Sequence, residues 1–218
     1  MDRKFLATLR SLEEIGINEI YGFKSKAEEP DKKIMLEDLF KRLSAEKKCI
    51  LYEGSGGYVF GDGNPDSPVV FVGEAPGEEE DRQKRPFVGK AGRYLNTKLE
   101  EVGLKREEVY ITNVVKSRPP GNRKPTKEEM MSCLPYLRKE IDIIKPKLLV
   151  CLGSTALEGL LGKSLPVTKH RGQLFEYPYN RNIKVFLTYH PAYVLRNPSA
   201  DKEFTEDMKR IKELLERL

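Results

Sequence analysis

Apolar and polar positions follow two different periods along this chain. In the first part, apolar side chains recur every three or four positions at residues 6–15 and again at residues 35–43, which is the spacing of amphipathic helices. From residue 58 onward, short apolar runs alternate with longer helical patterns, as in proteins built on a parallel sheet. The pattern therefore predicts a helical N-terminal extension, residues 1–48, followed by an α/β domain, residues 49–218.

Four apolar runs are expected to form the sheet, at residues 68–73, 109–115, 147–152 and 183–189. Helices are expected at residues 91–102, 126–144 and 202–218 and after Gly153-Ser154, with Thr126 as the N-cap of the second. Because strands alternate with helices, we expect right-handed crossovers and a central four-stranded, mainly parallel sheet flanked by helices. Residues 164–182 interrupt the alternation, and both a β-ribbon and an irregular segment fit them.

Three short motifs follow or adjoin these strands: GEAPG (residues 73–77), PFVGKAG (residues 86–92) and HPAYVLRNP (residues 190–198). In an open α/β sheet, the loops at the carboxyl ends of the strands converge on one crevice where ligands bind. We therefore expect Glu74, Phe87 and His190 to lie close together in space. A carboxylate, an aromatic ring and an imidazole suit the binding of a flat, polar ring.

Each of these side chains also has an ordinary structural interpretation. Glu74 in a glycine turn can face solvent, Phe87 can belong to the core, and a single histidine such as His190 is more often structural than catalytic. Asn113, at the end of the run YITN, can cap a turn. Its amide also offers one acceptor and two donors, so it can read the edge of uracil and reject cytosine. The residues alone leave these alternatives open.

Charge and composition only slightly narrow the range of candidate binding partners. The 218 residues carry a formal net charge of +5, and the sequence pI is about 8.9. Residues 116–127 (KSRPPGNRKPTK) contain five cations and no acid, which fits phosphate contact and equally fits a solvated loop. There is no apolar run long enough to cross a membrane and no apolar signal core, so we expect a cytoplasmic protein.

Taken together, the motifs resemble the uracil-DNA glycosylase superfamily, and within it the thermostable, iron–sulfur type called family four. The matching stretches occur in family order between about residues 49 and 215: VFGDGNPDSPVVFVGEAPGEEED, RPFVGKAG, VYITNVVKSRPPGNRKP, PYLRKEIDIIKPKLLVCLG, VTKHRG and TYHPAYVLRNPS. An ordered set of this kind is more specific than any single motif.

The resemblance implies a monofunctional glycosylase of base-excision repair, which flips uracil out of DNA and hydrolyses its N-glycosidic bond. Glu74 would position or activate the attacking water or stabilise the cationic sugar, and His190 would donate a hydrogen bond to uracil O2 as the base leaves. Phe87 would stack on the base, and Asn113 would read its Watson–Crick edge. The same fold can instead serve another base (hypoxanthine, xanthine or G·T thymine) or a relative that binds DNA or uracil without cutting.

The resemblance also implies further contacts. Ala75 and Glu80 would line the base pocket, with Glu80 helping to exclude the methyl group of thymine. Residues 192–196 would fill the gap that the flipped base leaves in the duplex. The side chains expected to contact DNA are Lys116, Arg118, His170, Arg171, Tyr193, Val194, Leu195 and Arg196. We expect a monomer, and a sliding clamp or downstream repair enzymes are candidate partners.

The main departure from the family concerns its [4Fe–4S] cluster, which four cysteines hold. The aligned positions in this chain are Glu46, Cys49, Ser117 and Cys133. Two thiolates are poor ligation for such a cluster, so we expect neither a cluster nor a catalytic metal, with packing of the N-terminal extension in its place. The odd cysteine count, with no close pair, does not suggest a secreted disulfide scaffold, and Cys151 is expected to be a buried apolar side chain.

Overall fold

The computed structural model describes residues 30–217 and the backbone of two short strands, β1 (Glu19–Ile20) and β2 (Phe23–Lys24). These strands pair antiparallel in a unit formed by Met1–Asp31, and Lys32–Leu218 form a second compact unit. The helix predicted at residues 6–15 lies outside the described residues. The division into an extension and a domain at residue 48 therefore stays a prediction.

The second unit alternates helices and strands. In chain order they are α1 (Lys32–Glu46), β3 (Asp62–Gly63), β4 (Val69–Gly73), α2 (Glu78–Gln83), α3 (Lys90–Glu101), β5 (Tyr110–Asn113), α4 (Lys127–Ile144), β6 (Leu148–Leu152), α5 (Ser154–Leu161), α6 (Val167–His170), β7 (Leu174–Tyr177), β8 (Asn180–Thr188), α7 (Pro191–Arg196) and α8 (Asp201–Arg217). The strands form a six-stranded sheet in the order β3-β5-β4-β6-β8-β7.

The centre of this sheet is parallel, as the sequence predicts. β5, β4, β6 and β8 pair parallel, each with its neighbour, and each overlaps one of the four predicted runs. The expected count of four strands was too low, because β3 and β7 add antiparallel edges. β3 is only an Asp-Gly pair, residue types that are depleted in strands. β7 forms a hairpin with β8, so the β-ribbon alternative for residues 164–182 is the one observed.

Apolar layers cover both faces of the sheet. Every residue of β4 and of β6 is buried, which explains why their sequences are continuous apolar runs instead of alternating ones. On one face, β4 residues such as Val70 and Val72 pack in a cluster with α1, α4 and α5. On the other face, Val69 and Phe71 pack in a cluster with α3, α7 and α8.

The start of α4 is determined locally. The Thr126 hydroxyl accepts a hydrogen bond from the Glu129 N–H (3.2 Å), and the Glu129 carboxylate accepts one from the Thr126 N–H (2.7 Å). This reciprocal capping box satisfies two N–H groups that the helix cannot pair, and it confirms the predicted N-cap. Among the helices of the described residues, none is both long and apolar enough to span a membrane.

Candidate active site

One cleft of about 560 Å³ lies at the carboxyl ends of the central strands. Glu74 follows β4, Asn113 ends β5, Gly153 follows β6, and His190 lies two residues after the end of β8. All four residues line this cleft, together with Ala75, Glu80 and Phe87. Residues far apart in sequence are therefore brought together, because parallel strands present their carboxyl ends at the same edge of the sheet.

Two glycines pack closely against residues that line the cleft. A Cβ atom at Gly73 would overlap the Asn113 Oδ1 atom and the Phe87 ring, and one at Gly92 would overlap the Phe87 carbonyl. Phe87 itself is 6% exposed and has a φ of 55°, a conformation that non-glycine residues adopt only under constraint. Phe87 thus belongs to the core cluster and also lines the cleft.

Asn113 carries an acceptor with no partner. The residue is 2% exposed, and within the described part of the chain its Oδ1 atom has no hydrogen-bond donor. Buried polar atoms are nearly always paired, so an exception at a cleft wall indicates a place for a ligand donor. The Asn113 amide is therefore available for recognition of a bound ring.

His190 has a defined tautomer. Its Nδ1 atom accepts a hydrogen bond from the Ala192 N–H (3.1 Å), which makes His190 the N-cap of α7. Burial, assisted by the positive charge of Arg196, lowers the pKa of His190 to about 4. The imidazole is therefore neutral at physiological pH, and its proton resides on Nε2. Its ring centroid lies 5.7 Å from that of Phe87.

The two carboxylates of the cleft differ in their surroundings. No donor or cation among residues 30–217 contacts the Glu74 carboxylate, which leaves it available to a water molecule. The Glu80 carboxylate accepts hydrogen bonds from three backbone N–H groups, those of Gly77 (3.1 Å), Val88 (2.9 Å) and Gly89 (2.7 Å). Glu80 thus joins the start of α2 to the loop that carries Phe87.

An arginine that the sequence analysis missed also supports the Phe87 loop. The Arg106 guanidinium donates to the Pro86 carbonyl (3.0 Å) and to the Asp62 carboxylate (3.3 Å). Arg106 lies in the charged stretch KREE, which has the pattern of a solvated turn and gives no signal of this contact. Other lining residues not proposed as site residues are Asn122, Arg123, Ser154 and Thr168. Two of them carried a signal: Arg123 lies in the basic run 116–127, and Ser154 follows a glycine turn after a strand.

Comparison with known proteins identifies the family. A family model described as the uracil DNA glycosylase superfamily matches residues 60–215. The chain belongs to this superfamily. It is 45% identical to the type-4 uracil-DNA glycosylase of Sulfurisphaera tokodaii, with 82% of this chain and 84% of that protein covered. The type-4 enzymes of Archaeoglobus fulgidus and Thermotoga maritima are 41% and 43% identical, and 92% and 96% of their lengths are covered.

Two of the residues expected to contact DNA are buried instead, and these predictions were wrong. Lys116 is completely buried, and its ammonium pairs with the Glu140 carboxylate. Val194 is 2% exposed in the core cluster that includes α3 and α8. A charge or an apolar side chain in a loop sequence indicates a surface contact only if the side chain reaches the surface, and these two do not.

Three other residues expected to contact DNA have partners within the protein. Arg171 pairs with Asp207 (2.7 Å) and Glu203 (3.3 Å), so its charge is already neutralised. Arg118 donates to Asn122 (2.8 Å) and lies 3.4 Å from Glu78. A ring nitrogen of His170 is bonded to Gln173 (3.2 Å).

Residues 192–196 keep a surface suited to contact with DNA. Tyr193 lines the cleft, and its ring stacks on that of Tyr189 with centroids 5.0 Å apart. Leu195 is an exposed apolar side chain, 46% accessible, and Arg196 lines the cleft from the same helix. This short helix therefore presents an aromatic ring, an apolar side chain and a cation beside the cleft.

Lys84 ends α2 in the left-handed conformation, with a φ of 56°, which glycine adopts at lower cost than other residues. Its ammonium pairs with Asp81 (2.8 Å).

The four cluster positions do not fit an iron–sulfur centre. Cys49 and Cys133 are paired in a disulfide, with Cα atoms 5.2 Å apart. The Glu46 carboxylate accepts a hydrogen bond from the Tyr136 hydroxyl (2.6 Å), and the Ser117 hydroxyl is buried with no partner among the described residues. Among the described residues, no group of three or more His, Cys, Asp or Glu could hold a metal ion. Cys151 is free and buried, as predicted.

Proposed function

We propose that this protein is a monofunctional uracil-DNA glycosylase of base-excision repair. The observation that carries the proposal is the buried, unpartnered Oδ1 atom of Asn113 in the same cleft as Phe87 and His190. Relatives that are 41% to 45% identical are named type-4 uracil-DNA glycosylases, and that activity accounts for an amide, an aromatic ring and an imidazole in one cleft.

In the proposed complex, the uracil ring stacks on Phe87 and its edge faces Asn113. Oδ1 accepts from the N3–H of uracil, and the amide NH2 donates to O4. Cytosine presents a lone pair at N3 and a donor at N4, so the same amide leaves two buried groups mismatched and rejects it. Stacking of a base on an aromatic side chain contributes ~1–3 kcal/mol and does not depend on which base is bound.

The reaction breaks the bond between the sugar C1′ and uracil N1, and the electron pair leaves with the base. His190 donates its Nε2–H to uracil O2, where negative charge develops, and a neutral imidazole can do this without losing its proton. Glu74 stabilises the cationic sugar, orients the water whose oxygen bonds to C1′ and accepts the proton that this water loses; the departing uracil anion takes up a proton from solvent. Preorganised donors of this kind contribute ~2.7–4 kcal/mol each in other enzymes.

DNA is proposed to contact the face that bears α7. Leu195 is the side chain suited to fill the gap left by the flipped base, because it is exposed and adjoins the cleft. Arg196 and Tyr193 lie on either side of it in sequence and line the cleft, where they would contact the phosphates and sugars. The monomeric state, recruitment by a clamp and a cytoplasmic location stay predictions.

We also propose that the enzyme works without an iron–sulfur cluster. Support comes from the two missing thiolates and from the partners already taken by Cys49, Cys133 and Glu46. Iron analysis and a visible absorbance spectrum of protein purified without oxygen test this. We expect no iron and no cluster absorbance, and stoichiometric iron would contradict the proposal.

The activity itself is tested with an oligonucleotide that contains a single uracil, followed by alkali to cleave abasic sites. We expect cleavage at the uracil position and a strong loss of rate in Glu74→Gln and His190→Ala. Glu176→Gln makes the same carboxylate change on edge strand β7 and should keep the wild-type rate. Tight binding of the uracil strand without an abasic product would instead identify a non-catalytic member of the family.

A further inference from the structure

An ion pair is buried behind the wall of the cleft. Lys116 is 0% exposed and Glu140 is 1% exposed, and neither side chain lines the cleft. The Lys116 ammonium donates to the Glu140 carboxylate, to the Thr112 hydroxyl (2.6 Å) and to the backbone carbonyl of Asn113 (2.9 Å). All three of its N–H donors are therefore used.

Glu140 extends the same network along β5. Its carboxylate accepts hydrogen bonds from the hydroxyls of Tyr110 (3.3 Å) and Thr112 (3.1 Å). Through these contacts, one carboxylate on α4 and one ammonium hold Tyr110, Thr112 and Asn113. Asn113 is the last residue of the strand, so the pair is attached where the strand delivers its amide to the cleft.

On the outer side of β5, pairing with the edge strand does not hold the backbone of Asn113. Within the described residues, the edge strand β3 pairs with Tyr110 and Ile111, so its ladder ends two residues before Asn113. The segment that precedes β3 makes its next backbone hydrogen bond three residues after Asn113, from the Val59 N–H to the Lys116 carbonyl (2.7 Å). On the inner side Asn113 is still paired with Gly73 of β4. The Lys116 ammonium bonds the Asn113 carbonyl and so takes the place of a neighbouring strand.

The orientation of the Asn113 amide depends on this backbone. No hydrogen bond from the described residues restrains its Oδ1 atom, and the ring of Phe87 lies against the same position above Gly73. A small displacement of the strand end would move the amide away from the edge of the base, and recognition groups misplaced by about 1 Å lose much of their effect.

We propose that the Lys116–Glu140 pair is a positioning device for the base-reading amide of Asn113. This inference rests on the proposed function. A contribution to folding stability would be a weak reason for burying this ion pair, because buried ion pairs stabilise a fold little more than apolar residues of the same volume do. A device that holds one carbonyl in one place does require directed hydrogen bonds, which apolar packing cannot supply.

The test is a double-mutant cycle measured by single-turnover excision of uracil. Lys116→Met with Glu140→Leu removes both charges together, so no buried charge is left without a partner and the protein is expected to fold. In the wild-type background, this replacement should slow excision on the order of 10- to 100-fold. In an Asn113→Ala background, the same replacement should change the rate less than about twofold, because the group being positioned is gone.

Two further variants serve as checks. Thr112→Val removes a hydroxyl that both charged groups use while keeping the side-chain shape, and it should show the same dependence on Asn113 with a smaller effect. Lys98→Met removes another largely buried lysine, which pairs with Glu101 and Asp201 away from β5. It should alter thermal stability and leave the excision rate unchanged.

Equal slowing by the paired replacement in both backgrounds would overturn the inference, since the pair would then act on folding in general. A wild-type rate in the paired replacement, with Asn113→Ala slow, would overturn this inference alone. A wild-type rate in Asn113→Ala would contradict the role of Asn113 in the proposed function, and the positioning role with it.

Discussion

At the scale of single residues, the neutral imidazole of His190 predicts that the stability of the folded protein depends on pH. Its pKa is lowered from 6.5 to about 4 in the folded protein. Between these values the unfolded chain binds a proton that the folded protein excludes, so stability should fall as the pH drops through this window. Across the whole window, this shift in pKa corresponds to a loss of about 3 kcal/mol in the free energy of unfolding.

Denaturant unfolding of the wild type and of His190→Gln, at a series of pH values across this window, measures the effect. The wild type should lose more stability than the variant as the pH falls. Identical pH dependence in the two proteins would show that His190 titrates normally.

Asn113 makes a prediction about base selectivity. In Asn113→Asp, a carboxylate oxygen replaces the donating NH2 group, so it repels uracil O4 and can accept from the N4 amino group of cytosine. Uracil excision should fall on the order of 10²-fold, and cytosine excision should become measurable. Asn182→Asp adds the same charge on an exposed part of β8 and should change neither. Unchanged selectivity in Asn113→Asp would remove Asn113 from the base-reading role.

At the scale of elements, the Glu80 carboxylate joins the GEAPG loop, through Gly77, to the PFVG loop, through Val88 and Gly89. If this is its main function, Glu80→Ala should slow uracil excision about tenfold or more, because three backbone N–H groups lose their acceptor. Hydrogen exchange at the Val88 and Gly89 amides should become faster in this variant.

Glu79→Ala is the matched control, since the hydrogen bonds of the Glu79 carboxylate within residues 30–217 go to neighbouring side chains of α2, those of Arg82 and Gln83. The control should behave like the wild type. Gain of thymine excision in Glu80→Ala would instead support a role in keeping the thymine methyl group out.

The elements that could be predicted from the sequence are those specified by local chemistry. The capping box at Thr126 starts α4 at the predicted residue, and double-sided burial of β4 and β6 accounts for their continuous apolar runs. Edge strands such as β3 depend on a neighbour and not on their own residues, so an Asp-Gly pair gave no signal. Strand β5 ends at Asn113, as the run YITN indicated, although the apolar pattern continues to residue 115.

At the scale of the whole molecule, crossover topology explains why part of the site could be predicted. Parallel pairing brings the carboxyl ends of β4, β5 and β8 to one edge, so the meeting of Glu74, Asn113 and His190 follows from their places at or after strand ends. The environment of Lys116 could not be predicted in this way. Its partner, Glu140, lies 24 residues away on a packed helix, and charge patterns do not show which cation a fold will bury.

The disulfide predicts that reduction destabilises the folded protein. Cys49 and Cys133 are separated by 84 residues, and a disulfide typically stabilises a fold by about 2–4 kcal/mol. Reduction should lower the free energy of unfolding by that amount, and Cys49→Ser should show the same loss without reductant. Thiol titration of the denatured, unreduced protein should find one thiol, that of Cys151.

Cys151→Ala serves as the control, because it removes the free thiol and keeps the cross-link. Its stability should still fall on reduction. Three thiols in the unreduced protein, or equal stability before and after reduction, would contradict the prediction.

The same disulfide divides the chain into a covalently closed ring and two open segments on either side of it. The covalent ring that it closes, residues 49–133, contains Glu74, Phe87 and Asn113, whereas His190 lies on the open portion of the chain. A single proteolytic nick inside the ring releases no fragment while the sulfurs stay joined. A nick between residues 134 and 189 breaks the covalent connection between His190 and these three residues.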